Sequence, residues 1–145
     1  RTLATIVCSS DYTLSISHEG VFYFGFLVDI QLQTVEQIFP PRKIPSLEKI
    51  KSIDSRLHCA CLDYDGNVYT FGVNFYGQLG IGDHTVQSTN IPQKVELPPC
   101  KQVSCGDTFT FCLTENGVIY GFGLNVQGQL ALEKAKVLHL SPQKI

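Results

Sequence analysis

The chain has 145 residues, of which 43% are hydrophobic and 17% charged, and its formal net charge is −2. This composition is typical of a globular protein rather than a disordered one. The acidic balance argues against direct nucleic-acid binding, which needs clustered basic side chains. No run of about 18 apolar residues is present, which excludes a membrane-spanning helix.

The cysteines and the N-terminus bear on where the protein resides. Six cysteines occur in the chain: Cys8, Cys59, Cys61, Cys100, Cys105 and Cys112. They contain no Cys-x-x-Cys pair of the kind that binds zinc, so we expect structural, buried thiols in a reducing compartment, either cytoplasm or nucleus. The sequence begins at Arg1, contains no methionine and shows no signal-peptide pattern, so we expect it to be part of a longer protein.

Three successive segments each predict three short β-strands, rich in β-branched and aromatic residues. The predicted strands cover residues 5–8, 12–17 and 21–25 in the first segment, 50–53, 58–64 and 67–72 in the second, and 101–105, 109–114 and 118–123 in the third. The last two strands of each set are joined by Glu19-Gly20, Asp65-Gly66 or Asn116-Gly117. Asn-Gly is a strong hairpin signal, because both central turn positions need a positive φ.

A longer element repeats after the last strand of the second and third segments. An aromatic-glycine pair is followed by the motif Asn-x-x-Gly-Gln-Leu, at residues 74–79 and again at 125–130. Residues 26–33 take this place in the first segment, which has lost the motif. Residues 130–138 contain good helix formers with poor apolar periodicity, and we expect a loop or one helical turn there.

The repeat markers recur at intervals of about 50 residues. A second marker, Pro-x-Lys followed by a branched residue, begins at Pro41, Pro92 and Pro142. These markers make residues 1–145 a single segment with a divergent repeat at about 1–40, further repeats at 41–91 and 92–141, and the start of the next at 142–145.

Short antiparallel strands at this interval predict an all-β fold, a partial β-propeller in which each repeat forms about one four-stranded blade. The loop glycines are expected to allow tight turns, and the aromatic residue before each strand-end glycine to pack between blades. Leu79 and Leu130 are expected to fill apolar gaps between blades, and Gln78 and Gln129 to satisfy loop carbonyl groups. The positions expected to build this structure are Gly20, Gly25, His58, Gly66, Phe71, Gly72, Asn74, Gly77, Gln78, Leu79, Gly80, Gly82, Gly106, Gly117, Phe122, Gly123, Asn125, Gly128, Gln129 and Leu130.

No pattern predicts catalysis, a cofactor or a metal ion. The glycine order in residues 77–82 is the reverse of a dinucleotide-binding loop, and no helix is predicted to follow. His58 and Cys59 are strand neighbours whose side chains point to opposite faces, so they do not form a nucleophile–base pair. We therefore expect His58 in the core or at a blade interface, and His18, His84 and His139 in turns or loops.

Residues 65–83 resemble the repeat of the regulator of chromosome condensation family, and His58 and Cys105-Gly106, each entering a strand, fit the same pattern. The resemblance covers almost the whole chain, strongly in the second repeat and weakly in the first. It implies a seven-bladed propeller, of which this chain holds fewer than three repeats. The departures are Tyr12 and Phe109 in place of the histidine, Ser9 and Arg56 in place of the glycine, and Ala131 and Glu133 in place of later loop glycines.

The repeat and the lack of catalytic motifs favour a protein–protein interaction module that presents loops on a rigid scaffold to a protein partner. The alternative, implied by the resemblance, is part of a guanine-nucleotide exchange factor for a Ran-type small GTPase, with chromatin binding beside it. The acidic balance and the missing basic arm weaken the chromatin part of that alternative.

Fewer than three blades leave sheet edges open, so the chain needs either the remaining blades or self-association to cover them. Residues 26–39 have two interpretations that the sequence leaves equal. They form a functional segment specific to this protein, or they are a terminal blade that has simply diverged.

Overall fold

The computed structural model describes residues 5–29, 33–133 and 136–145, and all of their regular secondary structure is β-strand. None of these residues forms a helix long and apolar enough to cross a membrane. The strands are β1 (Thr5–Cys8), β2 (Tyr12–Ser17), β3 (Gly20–Asp29), β4 (Thr34–Lys43), β5 (Ile50–Ser55), β6 (His58–Asp63), β7 (Val68–Val73), β8 (Ser88–Lys94), β9 (Cys100–Cys105), β10 (Phe109–Thr114), β11 (Ile119–Leu124) and β12 (Leu138–Lys144).

The strands form three antiparallel sheets of four, each made of consecutive strands in sequence order. We call the sheets β1–β4, β5–β8 and β9–β12 the first, second and third blades. The leading strand of one blade contacts the leading strand of the next, β1 with β5 and β5 with β9, so these strands lie innermost. The predicted all-β fold of four-stranded blades is confirmed.

The fourth strand of each blade is the element that the sequence did not predict. It lies at the outer edge and carries a proline, Pro92 in β8 and Pro142 in β12. Proline is tolerated there because an edge strand has backbone groups that need no partner, but the same residue makes the sequence resemble a loop.

Blade boundaries are therefore offset from the sequence-repeat boundaries. Residues 142–145 were expected to open a further repeat, but Gln143 pairs with Gly121 and Lys144 with Tyr120. This segment completes the third blade instead. Of the residues expected to form a loop or helical turn, 130–133 and 136–137 are irregular and Leu138 begins β12, while 134–135 lie outside the described residues.

The first blade departs most from the others. Its third strand was predicted to end at Gly25, but β3 continues to Asp29 and pairs with an equally long β4, with Phe26 opposite Gln37 and Val28 opposite Val35. A long strand pair thus stands where the other blades have the Asn-x-x-Gly-Gln-Leu loop. Residues 30–32, part of the segment expected to replace that loop, lie outside the described residues.

The apolar core lies between the blades, where stacking two sheets removes their facing side chains from water. One cluster joins the first and second blades and includes Leu14, Val21 and Phe71. The other joins the second and third blades and includes Val68 and Phe122. Each inter-blade space is thus a separate packing unit, and the two units differ.

Candidate functional site

Between the second and third blades, the loop after β7 is closed by the side chain of Asn74, which is buried. Its Nδ2 donates to the carbonyl oxygens of Val86, at 2.8 Å, and Asp83, at 3.2 Å. Its Oδ1 accepts from the backbone N–H of Leu79 at 3.1 Å. One amide therefore ties the two ends of the loop to its middle, a role that the repeat pattern alone did not reveal.

The middle of this loop is held by hydroxyl groups from two blades. Thr70 of β7 donates to the carbonyl oxygen of Leu79 at 2.7 Å. Thr110 of the third blade donates to the carbonyl oxygen of Gln78 at 2.8 Å. The Leu79 side chain is fully buried, so this turn fills the space between the blades.

The two glutamines act differently from the expectation that they satisfy carbonyl groups. Gln78 Oε1 accepts from the backbone N–H of Tyr76 at 2.9 Å. Gln129 Oε1 accepts from the backbone N–H of Gln127 at the same distance. The expectation was wrong because a side-chain amide carries both a donor and an acceptor, and sequence does not show which one the loop uses.

Gly80 is required by the close approach of the loop to the next blade. Its φ is +67°, and a Cβ atom built on it would lie 2.7 Å from the ring of Phe122. Two residues further on, the backbone N–H of Gly82 donates to the carbonyl oxygen of Leu140 in β12 at 2.8 Å. The loop therefore joins the two blades through a direct backbone hydrogen bond, and the approach of Gly80 to the Phe122 ring leaves no room for a side chain.

His58 belongs to the same interface. Its ring is buried, and Nε2 lies 2.6 Å from Thr110 Oγ1. Because the Thr110 hydroxyl donates its proton to Gln78, the His58 Nε2–H is the donor in this pair. Burial lowers the pKa of His58 to about 4, so the ring is neutral at neutral pH. His58 is a structural hydrogen-bond donor between blades.

A carboxylate that sequence reasoning did not single out also links these blades. Asp54 at the end of β5 accepts from the backbone N–H of Cys105 at 2.8 Å and from that of Ser55 at 3.0 Å. Buried backbone donors need such partners where two sheets meet. Only the placement of β9 beside β5 reveals its partner.

The third blade repeats the loop with the same chemistry. Asn125 Oδ1 accepts from the backbone N–H of Leu130 at 2.9 Å, and its Nδ2 donates to the carbonyl oxygen of Leu132 at 3.2 Å. Leu130 is fully buried. Ala131 stands where the second blade has Gly80 and keeps the left-handed backbone, with φ of +54°. The sequence loss of that glycine therefore leaves the loop conformation in place.

Between the first and second blades, two tyrosines, Tyr12 and Tyr23, lie at the positions that His58 and Thr70 occupy in the second blade. The rings of Tyr12 and Tyr23 stack with centroids 5.1 Å apart. The Tyr12 hydroxyl lies 3.0 Å from Ser55 Oγ, and the Tyr23 hydroxyl donates to the carbonyl oxygen of Phe26 at 2.5 Å. Burial raises the pKa of both tyrosines above the ordinary value of 10.

The tyrosines do not fill this space. A cavity of about 210 Å³ remains between the two blades, and its lining includes Tyr12, Tyr23, Phe26, Leu27, Leu57 and Phe71. A second cavity of about 190 Å³ shares Tyr23, Leu27, Phe71 and Asn90 with it. The first inter-blade space is therefore loosely packed, whereas in the second the side chains of Gln78, Leu79 and Phe122 are fully buried, and we call that space sealed.

Beside this cavity, the long β3–β4 pair exposes apolar side chains to solvent. Phe26 and Val28 lie on one face of β3, and Val35, 65% exposed, lies opposite Val28 on the same face. Phe39, in the middle of β4, is exposed as well. We call these four residues the hairpin surface.

The thiols and imidazoles show no catalytic arrangement in the described parts of the chain. Cys59 and Cys61 lie on one face of β6 with their sulfur atoms 3.7 Å apart, and burial raises the pKa of the Cys59 thiol. Cys8 is exposed, against the expectation of buried thiols, and the others are buried. His139 was expected in a loop but is buried within β12. No cluster of three or more His, Cys, Asp or Glu residues in the described ranges is placed to hold a metal ion.

Comparisons with known proteins agree with this architecture. The model of the regulator of chromosome condensation (RCC1) repeat matches residues 65–113, and a second model of the same repeat matches residues 100–129. The probable E3 ubiquitin-protein ligase HERC6 of Homo sapiens is 34% identical over 91% of this chain and 14% of its own length. The human regulator of chromosome condensation is 30% identical over 85% of this chain and 31% of its own length.

Solved structures show the same fold along the whole chain. Human WBSCR16 superimposes with a TM-score of 0.82 at 19% identity, over 100% of this chain and 38% of that one. Prp20p of Saccharomyces cerevisiae superimposes with a TM-score of 0.79 at 18% identity, over 97% and 37%. The chain spans no more than about a third of the length of HERC6 and of the human regulator of chromosome condensation.

Proposed function

The chain belongs to the regulator of chromosome condensation (RCC1) repeat family, and from this premise we propose that it is a protein–protein interaction module, a propeller segment that presents the hairpin surface to a protein partner. The observation that carries the proposal is the contrast between a sealed second inter-blade space and an exposed, apolar β3–β4 pair in the first blade. Exposed apolar patches on a rigid scaffold are typical of recognition surfaces.

The partner class is a protein in the nucleus or the cytoplasm. One crystal structure shows Kap60 bound to the yeast protein Prp20. Another crystal structure, of Prp20p, is described together with the binding of Prp20p to Gsp1p and histones. These relatives support a protein partner and make a small GTPase one candidate for this chain. The net charge of −2 gives no support to direct nucleic-acid binding by the chain itself.

Nucleotide exchange on a Ran-type small GTPase is the second candidate function. The 30% identity to the human regulator of chromosome condensation favours it. Exchange requires no covalent chemistry, only a surface that binds one state of the GTPase better than the other. We assign no other catalytic activity to this chain, because HERC6, whose name indicates a ligase, is matched over only 14% of its length.

The interaction proposal is tested by capture with a variant of the hairpin surface. Val35→Lys places a charge on the exposed apolar face and is expected to weaken capture of a specific partner by at least about tenfold, as for a truncated hot-spot residue. Ile91→Lys is the matched control, because Ile91 is a 68% exposed apolar residue on the second blade. Quantitative mass spectrometry of bound proteins, followed by titration of the purified partner, gives the measurement. Equal capture by both variants and the unaltered chain would refute the hairpin surface as the site.

The second candidate function has its own assay. The chain is added to a Ran-type GTPase loaded with a fluorescent guanine nucleotide, and the release rate is measured. Acceleration that Val35→Lys abolishes would assign exchange to the hairpin surface. Release at the intrinsic rate would leave exchange out of the function of this chain.

A further inference from the structure

Each blade ends in an outer strand that has one paired edge and one free edge. The outer strands β4, β8 and β12 pair with β3, β7 and β11, and no other described strand pairs with them. A free strand edge presents backbone N–H and C=O groups that a further strand can bind, and proteins usually block such edges. The three outer strands of this chain differ in whether the edge is blocked.

The edges of β8 and β12 are blocked by their own side chains. In β8, the backbone N–H of Ile91 donates to Thr89 Oγ1 at 3.1 Å, and the carbonyl oxygen of Ile91 accepts from Gln93 Nε2 at 3.0 Å. In β12, Gln143 Nε2 donates to the carbonyl oxygen of Ser141 at 3.1 Å. Each of these strands also carries a central proline, which has no N–H to offer a further strand.

The first six residues of β4, 34–39, have no such block. They include no proline, and Pro40 and Pro41 follow them. The hydrogen bonds that side chains of this segment form with described residues are those of Glu36 with Arg42, which leave the backbone free. At ten residues, β4 is also longer than the seven-residue strands β8 and β12.

The direction of the backbone groups along β4 follows from its register with β3. The N–H of Phe26 donates to the carbonyl oxygen of Asp11, away from β4. In an antiparallel sheet, two residues opposite one another either bond each other or both face away. Gln37 lies opposite Phe26 and therefore directs its N–H and C=O groups to the free edge. Because this direction alternates along a strand, Val35 does the same.

The segment that joins β3 to β4 is too short to pair with Gln37. Asp29 lies opposite Thr34, so residues 30–33 connect two neighbouring positions. At about 3.5 Å per residue, the backbone of such a segment extends no more than about 7 Å along the strand from this pair. Gln37 lies about 10 Å along β4 from Thr34. The free edge at Gln37 therefore does not depend on where residues 30–33 lie.

We propose that the free edge of β4 at residues 35–37 binds an extended segment of a partner protein, which adds an antiparallel strand to the first blade. The backbone groups of Val35 and Gln37 supply the pairing. Side chains at every second position of the added strand continue the hairpin surface, so we expect them to be apolar or β-branched. This inference rests on the proposed function and deepens it, because it names the conformation and the side-chain pattern of the partner segment.

A second copy of this chain fits the edge less well than a different sequence does. Pairing two β4 strands so that Val35 lies opposite Gln37 sets Glu36 opposite its own copy, and like charges directly opposite one another destabilise a sheet. Registers shifted toward the C-terminal end of β4 bring in Pro40 and Pro41, which lack an N–H. The partner segment is therefore expected to carry an uncharged or basic residue opposite Glu36.

The free edge is tested first in the chain alone, by amide hydrogen exchange followed by NMR. Val35 and Gln37 are expected to exchange at least about tenfold faster than Glu36 and Ile38, whose N–H groups face β3. Equal exchange of all four amides, or the opposite alternation, would overturn the assignment of the free edge.

The probe for binding is the synthetic peptide Arg-Thr-Val-Lys-Val-Thr-Arg, titrated into the isotope-labelled chain. Its valines match Val35 and Gln37, and its lysine matches Glu36. The expected result is a saturable shift, with slowed exchange, of the Val35 and Gln37 amides. A peptide N-methylated at both valines loses the N–H groups that face β4 and is expected to bind at least about tenfold more weakly. A peptide N-methylated at both threonines loses N–H groups that face away and is expected to bind like the unmodified one.

A variant of the chain makes the same test from the other side. Gln37→Pro removes one N–H from the free edge and is expected to weaken peptide binding by at least about tenfold. Gln37→Thr keeps that N–H and is expected to leave binding unchanged. The outer strands β8 and β12 already contain proline, so we expect Gln37→Pro to fold, and its amide spectrum checks this. If it does not fold, the two methylated peptides decide the question with the unaltered chain.

Four outcomes would overturn the inference. They are no saturation at millimolar peptide, equal binding of the two methylated peptides, binding unaffected by a folded Gln37→Pro, and dimerisation through β4 that Gln37→Pro abolishes, which would assign the edge to a second copy. The peptide is no natural partner, so its titration fails independently of the proposed function. If Val35→Lys abolishes partner capture while Gln37→Pro leaves it unchanged, the partner binds the side chains of the hairpin surface and only the strand inference is lost.

Discussion

The two inter-blade spaces of this chain are built from equivalent positions, yet one is sealed and the other is open. Between the second and third blades, a Gln-Leu turn is held by hydroxyl groups from both sides and packs against Phe122. Between the first and second blades, stacked tyrosines leave a cavity beside Phe71. The comparison shows that neighbouring blades stack in the same way whether a loop or a longer strand pair follows the third strand, because the strands and their register carry the stacking.

The largest effect is expected from removing the aromatic ring at each interface in turn. Phe122→Ala is expected to lower the free energy of unfolding by about 3–5 kcal/mol, because a fully buried ring leaves a cavity in a sealed space. Phe71→Ala is expected to cost about 2–3 kcal/mol, since its ring already borders empty volume. Urea unfolding followed by circular dichroism measures both. Equal losses would show that the two spaces are packed alike; Phe122→Leu serves if Phe122→Ala does not fold.

The sealed space can also be broken by adding one methyl group. Gly80→Ala is expected to cost about 2–4 kcal/mol, because a left-handed backbone is strained for alanine and the new Cβ meets the Phe122 ring. Gly117→Ala is the control: its φ is +85° but nothing lies within 4 Å of the added atom, so only backbone strain of about 1–2 kcal/mol remains. The same unfolding experiment applies, and a Gly80→Ala loss no larger than that of Gly117→Ala would contradict the contact.

Acid is expected to weaken the sealed space in particular. Burial lowers the pKa of His58 to about 4, whereas an unfolded histidine titrates near about 6.5, so unfolding takes up a proton between these values. The free energy of unfolding therefore falls as the pH drops from about 6.5 to 4, by at most about 1.4 kcal/mol per pH unit, and this contribution is fully present above that window. Tyr12, the equivalent residue of the open space, stays neutral throughout.

His58→Gln is expected to flatten this pH dependence, and exposed His84→Gln is expected to leave it unchanged. Urea unfolding at a series of pH values between about 7 and 4 supplies the comparison. An unaltered slope in His58→Gln would mean that the acid sensitivity arises elsewhere.

The smallest effect concerns the outer face of the third blade, which has no further blade packed on it in this chain. Phe111, Leu113 and Ile119 line an apolar depression there, and we expect weak, concentration-dependent self-association. Sedimentation velocity at a series of concentrations measures it. Ile119→Lys is expected to reduce association, and Tyr64→Lys, at an exposed turn, to leave it unchanged. A monomer at every concentration would contradict the prediction.

Much of the fold could be predicted from sequence because the signals were local. Asn116-Gly117 and its counterparts placed the hairpins, and alternating β-branched and aromatic residues placed the inner strands. The outer strands could not be predicted in this way, since Pro92 and Pro142 conceal strands that pair on one side only. The site was less accessible still. The partner of Asp54 and the replacement of a loop by Tyr12, Tyr23 and a longer β3 depend on which blades meet, and no local pattern records that.

The closure of the loop by Asn74 has a consequence for protein engineering. This side chain bonds main-chain atoms alone, so the side chains of the two residues that follow it are not needed for closure. The chain already shows the freedom this allows, with Phe75-Tyr76 at one tip and Val126-Gln127 at the other, all of them exposed. Either tip can therefore accept a grafted recognition sequence, which makes the repeat a display scaffold whose exchangeable positions are marked by the asparagine that precedes them.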